Sequence, residues 1–241
     1  MRKAWLLLLS LAACAPATNG RIPPLHQAVL AGDLPRARAL LASGAEPGAR
    51  DARGRTPLHL AVAAGKVELV RLLVEEGAPL EARDAHGRTP FLLAVLKGNL
   101  AVARFLVEAG ADPRVRDSAG ETALHYAARF GSPELLDWLI EQGLPVKAID
   151  ADGKTPLHVA VAEENCRAAR ALLTAGADPN AQDARGRTPL HRAVSRESEA
   201  CIQLLLASGA DPHLPDREGE SPLDYAARYG YKRAFWLLLG K

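Results

Sequence analysis

A chain of 241 residues with 48 % apolar content is long enough to bury a core, and that content excludes a disordered polymer. Only 5 % of the residues are aromatic while alanine and leucine abound, a balance that favours closely packed helices over a β-sandwich. A net charge of +2 is too small to mark a nucleic-acid binder, so any charged surface must arise by segregation.

The chain opens MRKAWLLLLSLAACAPATNG. Arg2 and Lys3 precede an apolar run from Ala4 to Ala13, about ten residues, which is too short to span a bilayer and fits the hydrophobic region of a secretory signal. Leu11-Ala12-Ala13-Cys14 resembles the lipobox of bacterial lipoproteins. That resemblance implies a signal peptide over 1–13, lipid attachment at Cys14 and a short linker over 14–21, which spans at most roughly 28 Å. Ala15 after the cysteine implies the outer rather than the inner membrane. The competing reading is cleavage after Ala17, giving a soluble periplasmic or secreted protein. Loss of 1–13 removes two cations and no acid, leaving a mature chain without net charge.

Beyond this segment the chain repeats itself. ARGRTPLHLA at Ala52–Ala61 returns at Ala184–Ala193 as ARGRTPLHRA, one letter changed. Gly54, Gly87, Gly120, Gly153, Gly186 and Gly219 are spaced by 33, and so are Gly44, Gly77, Gly110, Gly143, Gly176 and Gly209. Units start near 18, 51, 84, 117, 150, 183 and 216, the first and last irregular, and fill 22–241. Within a unit, Gly54 suits a turn of positive φ, Thr56 caps a helix starting at Pro57, and Leu58 and Ala61 face inward. A second helix places Val67, Val70, Leu73 and Val74 at helical spacing and stops at Gly77.

A 33-residue unit carrying T-P-L-H-x-A resembles the ankyrin repeat. The resemblance implies an all-α solenoid of about seven helix-turn-helix units with β-turn fingers. Repeats 5 and 6 carry Glu164 and Glu197 where the others have glycine between their helices, so that turn is expected to be remodelled there. Phe235 and Trp236 are expected to cap the C-terminal unit.

The family resemblance gives the T-P-L-H histidine a structural role, bonding the connecting backbone and tightening adjacent units. Here these residues are His26, His59, His125, His158 and His191, with Leu92 and Asp224 in the same slot of repeats 3 and 7. Equivalent positions in stacked helices lie about 8–10 Å apart while zinc ligands sit about 2 Å from the ion, so one metal cannot collect them. No G-x-S-x-G, H-E-x-x-H, phosphate loop or C-x-x-C occurs. No catalysis, cofactor, metal or small-molecule substrate is therefore expected. Cys166 and Cys201 fall in second helices, at slots two residues apart in adjacent units, and read either as small buried hydrophobes or as a disulfide.

Function then rests on surfaces. Ankyrin proteins bind through the fingers and the adjacent face of the first helices, which in this chain carry Arg53, Arg55, Arg83, His86, Arg88, Lys97, Arg116, Arg129 and Phe130. The basic run resumes at Arg185, Arg187, Arg196, Arg228 and Tyr229, after an acidic interruption at Glu121, Asp152, Glu163 and Glu164. The pattern implies a protein partner with an acidic surface: a scaffold, inhibitor or immunity-type role in a bacterial periplasm. Nucleic acid is not expected. A polyanion or anionic-lipid binder and a purely structural spacer are the alternatives.

Overall fold

The computed structural model describes residues 22–130 and 132–240. The leader over 1–13, Cys14 and the linker to residue 21 lie outside the described residues. Fourteen helices and no strand occur among the described residues, in seven antiparallel pairs. The pairs are α1 (Pro24–Ala31) and α2 (Leu34–Ala42), α3 (Pro57–Ala63) and α4 (Val67–Glu75), α5 (Pro90–Leu96) and α6 (Leu100–Glu108), and α7 (Ala123–Phe130) and α8 (Pro133–Glu141). They continue with α9 (Pro156–Ala162) and α10 (Cys166–Thr174), α11 (Pro189–Ser195) and α12 (Glu199–Ala207), and α13 (Pro222–Tyr229) and α14 (Lys232–Leu238). First helices stack on first helices and second on second, giving two layers with one continuous apolar core between them.

Seven- to nine-residue helices are too short to persist alone in water, so each depends on its start signal and its neighbours. The start is repeated: Thr56, Thr89, Thr155 and Thr188 accept the N3 amide, and a proline whose missing N–H costs nothing occupies the first turn. Leu58, Ala61, Leu73 and Val70 are fully buried, whereas Val67 and Val74 lie at the margin of the core.

The turn of repeats 5 and 6 departs from expectation. It is not remodelled: Glu164 N–H reaches the Val161 carbonyl at 3.0 Å, as Gly65 N–H reaches that of Val62. The backbone is kept by forcing the glutamates into the left-handed region, with φ of 56° at Glu164 and 52° at Glu197. Neighbour packing overrides local preference here, storing roughly 1–2 kcal/mol of strain at each site. Glu164→Gly and Glu197→Gly are each expected to raise stability by about 0.5–1 kcal/mol, part of the relief being offset by the chain entropy of glycine. Denaturant titration checks this; an unchanged midpoint would show the strain to be relaxed in solution.

The same two repeats are joined covalently. Cys166 at the start of α10 is disulfide-bonded to Cys201 in the first turn of α12, with Cα atoms 5.3 Å apart. The two-residue difference in slot is absorbed by the offset between successive second helices. At the C-terminus Phe235 packs against the core, while Trp236 remains 50 % exposed.

Candidate partner-binding face

Each finger is built around one aspartate. Asp84 Oδ1 accepts the amides of His86 at 2.9 Å and Arg88 at 3.0 Å, and Asp51, Asp117, Asp150, Asp183 and Asp216 make the same pair of bonds in their units. Burial alone would raise the Asp84 carboxyl, but the Arg88 side chain and these amides hold it below the ordinary carboxylate value. Adjacent fingers are tied by one backbone bond each, such as Ala85 N–H to Arg53 O at 3.0 Å and Ala184 N–H to Asp152 O at 2.8 Å. The approach is close: a Cβ on Gly153, whose φ is +74°, would meet Ala184 N at 2.8 Å.

The histidines link each first helix to the next finger. Nδ1 of His59, His125, His158 and His191 accepts the amide of the capping threonine at 3.0–3.2 Å, so the proton sits on Nε2. Nε2 then donates to the carbonyl 29 residues ahead: Arg88, Lys154, Arg187 and Glu220, each at 2.9 Å. His26 makes the same forward bond to Arg55 O at 3.0 Å, but Pro23 stands in the threonine slot and leaves its Nδ1 without a partner. Burial lowers the pKa of His59, His125, His158 and His191, and the carbonyl bond only partly opposes it; His158 falls to about 4. Leu92 keeps the cap and fills the core but donates nothing forward. Asp224, in the last unit, accepts the Ser221 amide at 2.9 Å and so performs only the local half of the histidine's work.

Among the cations read from sequence, this framework uses several. Arg83 donates to Gly87 O and Arg116 O, and Arg116 to Gly120 O and Ile149 O, continuing a ladder begun by Arg50; Ile149 interrupts it, and Gln182 resumes it with a bond to Pro215 O. Arg55, Arg88 and Arg187 pair with the aspartate four residues earlier. Arg129 pairs with Glu121 at 2.5 Å and faces Glu163 at 3.8 Å, and Arg228 pairs with Glu220. Of the acidic interruption, Glu121 is thereby spent and Asp152 is held by Lys154 at 2.6 Å. Arg53, His86, Lys97, Arg185 and Arg196 carry exposed side chains with no ion pair among the described residues.

Phe130 and Tyr229 occupy the same slot three repeats apart and are 57 % and 55 % exposed. The Arg129 guanidinium lies 5.6 Å from the Phe130 ring centroid, and Tyr229 contacts the rings of Tyr225 and Tyr231 at 5.4 and 6.0 Å. The face that results is a row of half-neutralised cations punctuated by two aromatic platforms, with no cluster of three or more metal-ligating side chains among the described residues. The finger-organising role of the aspartates, the Arg50 ladder and the placement of Arg192 were missed from sequence. The aspartate comb shared the 33-residue period and could have shown the first.

The model of the family described as ankyrin repeats (3 copies) matches residues 25–117, 110–183 and 163–241. Among solved structures the chain is similar to the ankyrin repeat domain of Bcl-3, described as a unique member of the IkappaB protein family. The two share 34 % identity with a TM-score of 0.78, over 91 % of this chain and 99 % of that one. No curated protein sequence matches. Family model, solved relative and the forward-reaching histidine clamp all cover the same units, and the chain belongs to the ankyrin-repeat family.

Proposed function

We propose that this protein is a non-catalytic binding solenoid, held by a lipid on Cys14 at the periplasmic side of a bacterial envelope, where it captures another protein with an acidic surface. The observation that carries the binding reading is the exposure of Phe130 and Tyr229 beside arginines on the finger side, since aromatic and arginine anchors dominate binding energy at protein interfaces. The disulfide between Cys166 and Cys201 supports an oxidising compartment. The proposed roles are scaffold, inhibitor or immunity-type partner.

Capture from native envelope extract tests the face. Arg53→Glu with Lys97→Glu removes two cations that the framework does not use, and is expected to abolish capture without loss of fold. Phe130→Ala is expected to weaken a packed interface by roughly 1 kcal/mol or more and to leave attraction to a polyanion or anionic lipid almost untouched. Glu68→Lys with Glu75→Lys on the second-helix layer is the control; Arg71 is unsuitable because its guanidinium stacks 4.7 Å from the Phe105 ring. Unchanged capture by the folded Arg53/Lys97 variant would place the site elsewhere. For the anchor, Cys14→Ser is expected to block lipid labelling and free the protein from membrane fractions. A wild-type protein that is soluble and begins at Thr18 would overturn it.

A further inference from the structure

The phrase that recurs in repeats 2 and 6 differs in one letter, Leu60 against Arg192. The slot holds Gln27, Leu60, Leu93, Tyr126, Val159, Arg192 and Tyr225, so repeat 6 alone carries a charge there. Leu60, Leu93 and Val159 are nearly buried in it, and a guanidinium in this position needs a partner. It finds Asp183 Oδ2 at 3.2 Å, the oxygen that already serves Arg187.

The other repeats show what this arrival displaces. Arg88 grips Asp84 Oδ2 through Nε at 2.9 Å and Nη2 at 2.7 Å, and Arg55 grips Asp51 Oδ2 through Nε at 2.8 Å and Nη2 at 2.8 Å. In repeat 6 the grip is broken: Arg187 retains only a 3.3 Å contact through Nη2, and its Nε is buried without any partner. Both contacts to Asp183 are longer than the 2.7–2.9 Å usual for guanidinium–carboxylate bonds. Arg185, on the same finger, is exposed and makes no direct ion pair among the described residues. These groups line a cleft of about 310 Å³ between the fingers of repeats 5 and 6, together with Lys154 and Asp152. Four cations face two carboxylates, so two positive charges are left facing one opening, with the unpartnered Nε of Arg187 buried behind it.

We propose that this cleft is an oxyanion subsite, receiving one acidic group, a carboxylate or a phosphoryl, from an extended segment of a protein partner. An incoming oxyanion relieves the sharing of Asp183 by two guanidiniums, freeing that carboxylate to close on Arg187 as in the other repeats while Arg192 turns to the ligand; a bidentate guanidinium fork fits either group. Burial lowers the pKa of Arg192, and the Arg187 charge adds to the effect, in keeping with an excess of positive charge in the cleft. The inference rests on the reading of the chain as a protein-binding solenoid but concerns repeats 5 and 6, which the Arg53 and Lys97 changes leave intact.

The test is fluorescence anisotropy with the purified full-length protein and three labelled Gly/Ser peptides that differ only in carrying glutamates, phosphoserines or glutamines. The wild type is expected to bind one or both acidic peptides and not the glutamine peptide, more weakly as salt rises. Arg192→Leu restores the residue of repeats 2 and 3, so its melting temperature should hold or rise while affinity falls about tenfold. Arg185→Ser touches no internal bond and should reduce affinity with no change in melting. The tighter of the two acidic peptides identifies the source of the oxyanion. Equal binding of acidic and glutamine peptides, or undiminished binding by both variants, overturns the subsite. Envelope capture lost through the Arg53 and Lys97 changes while these peptides fail would leave the binding reading standing without it.

Discussion

Reducing the disulfide is expected to lower the unfolding free energy by about 4 kcal/mol, because the bond closes a chain separation of 35 residues and restricts the unfolded ensemble accordingly. Cys166→Ser with Cys201→Ala should reproduce the loss without reductant. The effect should be local in origin. A repeat array is held by nearest-neighbour interfaces, so releasing repeats 5 and 6 from each other weakens their shared interface first. That interface also carries the strained Glu164 and Glu197, whose cost the covalent link helps offset. Hydrogen exchange should therefore accelerate in α10 and α12 before it does in α4 and α6. Equal denaturation midpoints with and without reductant would mean that the bond closes nothing the folded helices do not already fix.

Acid is expected to weaken the protein well above the range in which carboxylates titrate. The buried histidines have folded pKa values below the ordinary 6.5, so the unfolded chain takes up protons first, and stability that is complete above pH 6.5 is lost as pH falls toward the folded values. For His158, which falls to about 4, the loss between pH 7.5 and pH 5 is on the order of 2 kcal/mol, or roughly 4–8 °C in Tm, and His59, His125 and His191 add in the same direction. The cause is steric as well as electrostatic: Nδ1 of each ring accepts an amide proton, and protonation would set two N–H groups against each other. Asp51, Asp84 and Asp183 also have lowered values, but their contribution disappears only below about pH 4. Melts at pH 7.5 and pH 5 check this, with His158→Gln expected to flatten the dependence. A Tm unchanged across this interval would sink it.

The period, the helix pairs, the threonine caps and the histidine slot were legible in the sequence because each recurs in register and each has a local cause. What was illegible depended on direction and distance. Arg83 and Arg116 look like free surface cations in a string of letters, and only the path of the next loop turns them into interrepeat donors. Glu164 shows that a glycine has been lost, not that packing holds the turn regardless. Cys166 and Cys201 sit at different slots, and their meeting depends on how one helix is offset against the next. Phe130 and Tyr229 were found because a first-helix terminus can be located from the period alone, and their exposure follows from that location.

Leu92 has a mechanical consequence. At the other junctions a histidine of one unit grips the finger of the next, and between repeats 5 and 6 a covalent bond is added. Between repeats 3 and 4 the grip is missing, leaving apolar contact, the Arg104 guanidinium over the Trp138 ring, the Ser118–His86 backbone bond and the Arg116–Ile149 rung. Treated as an elastic rod, the solenoid thus has its softest joint there and its stiffest two units further on. Thermal bending and any load applied along the axis concentrate at that joint, which lies just before the Phe130 platform. A partner reaching from Arg53 to Tyr229 would span this joint and, by holding both arms, would supply the brace that Leu92 omits.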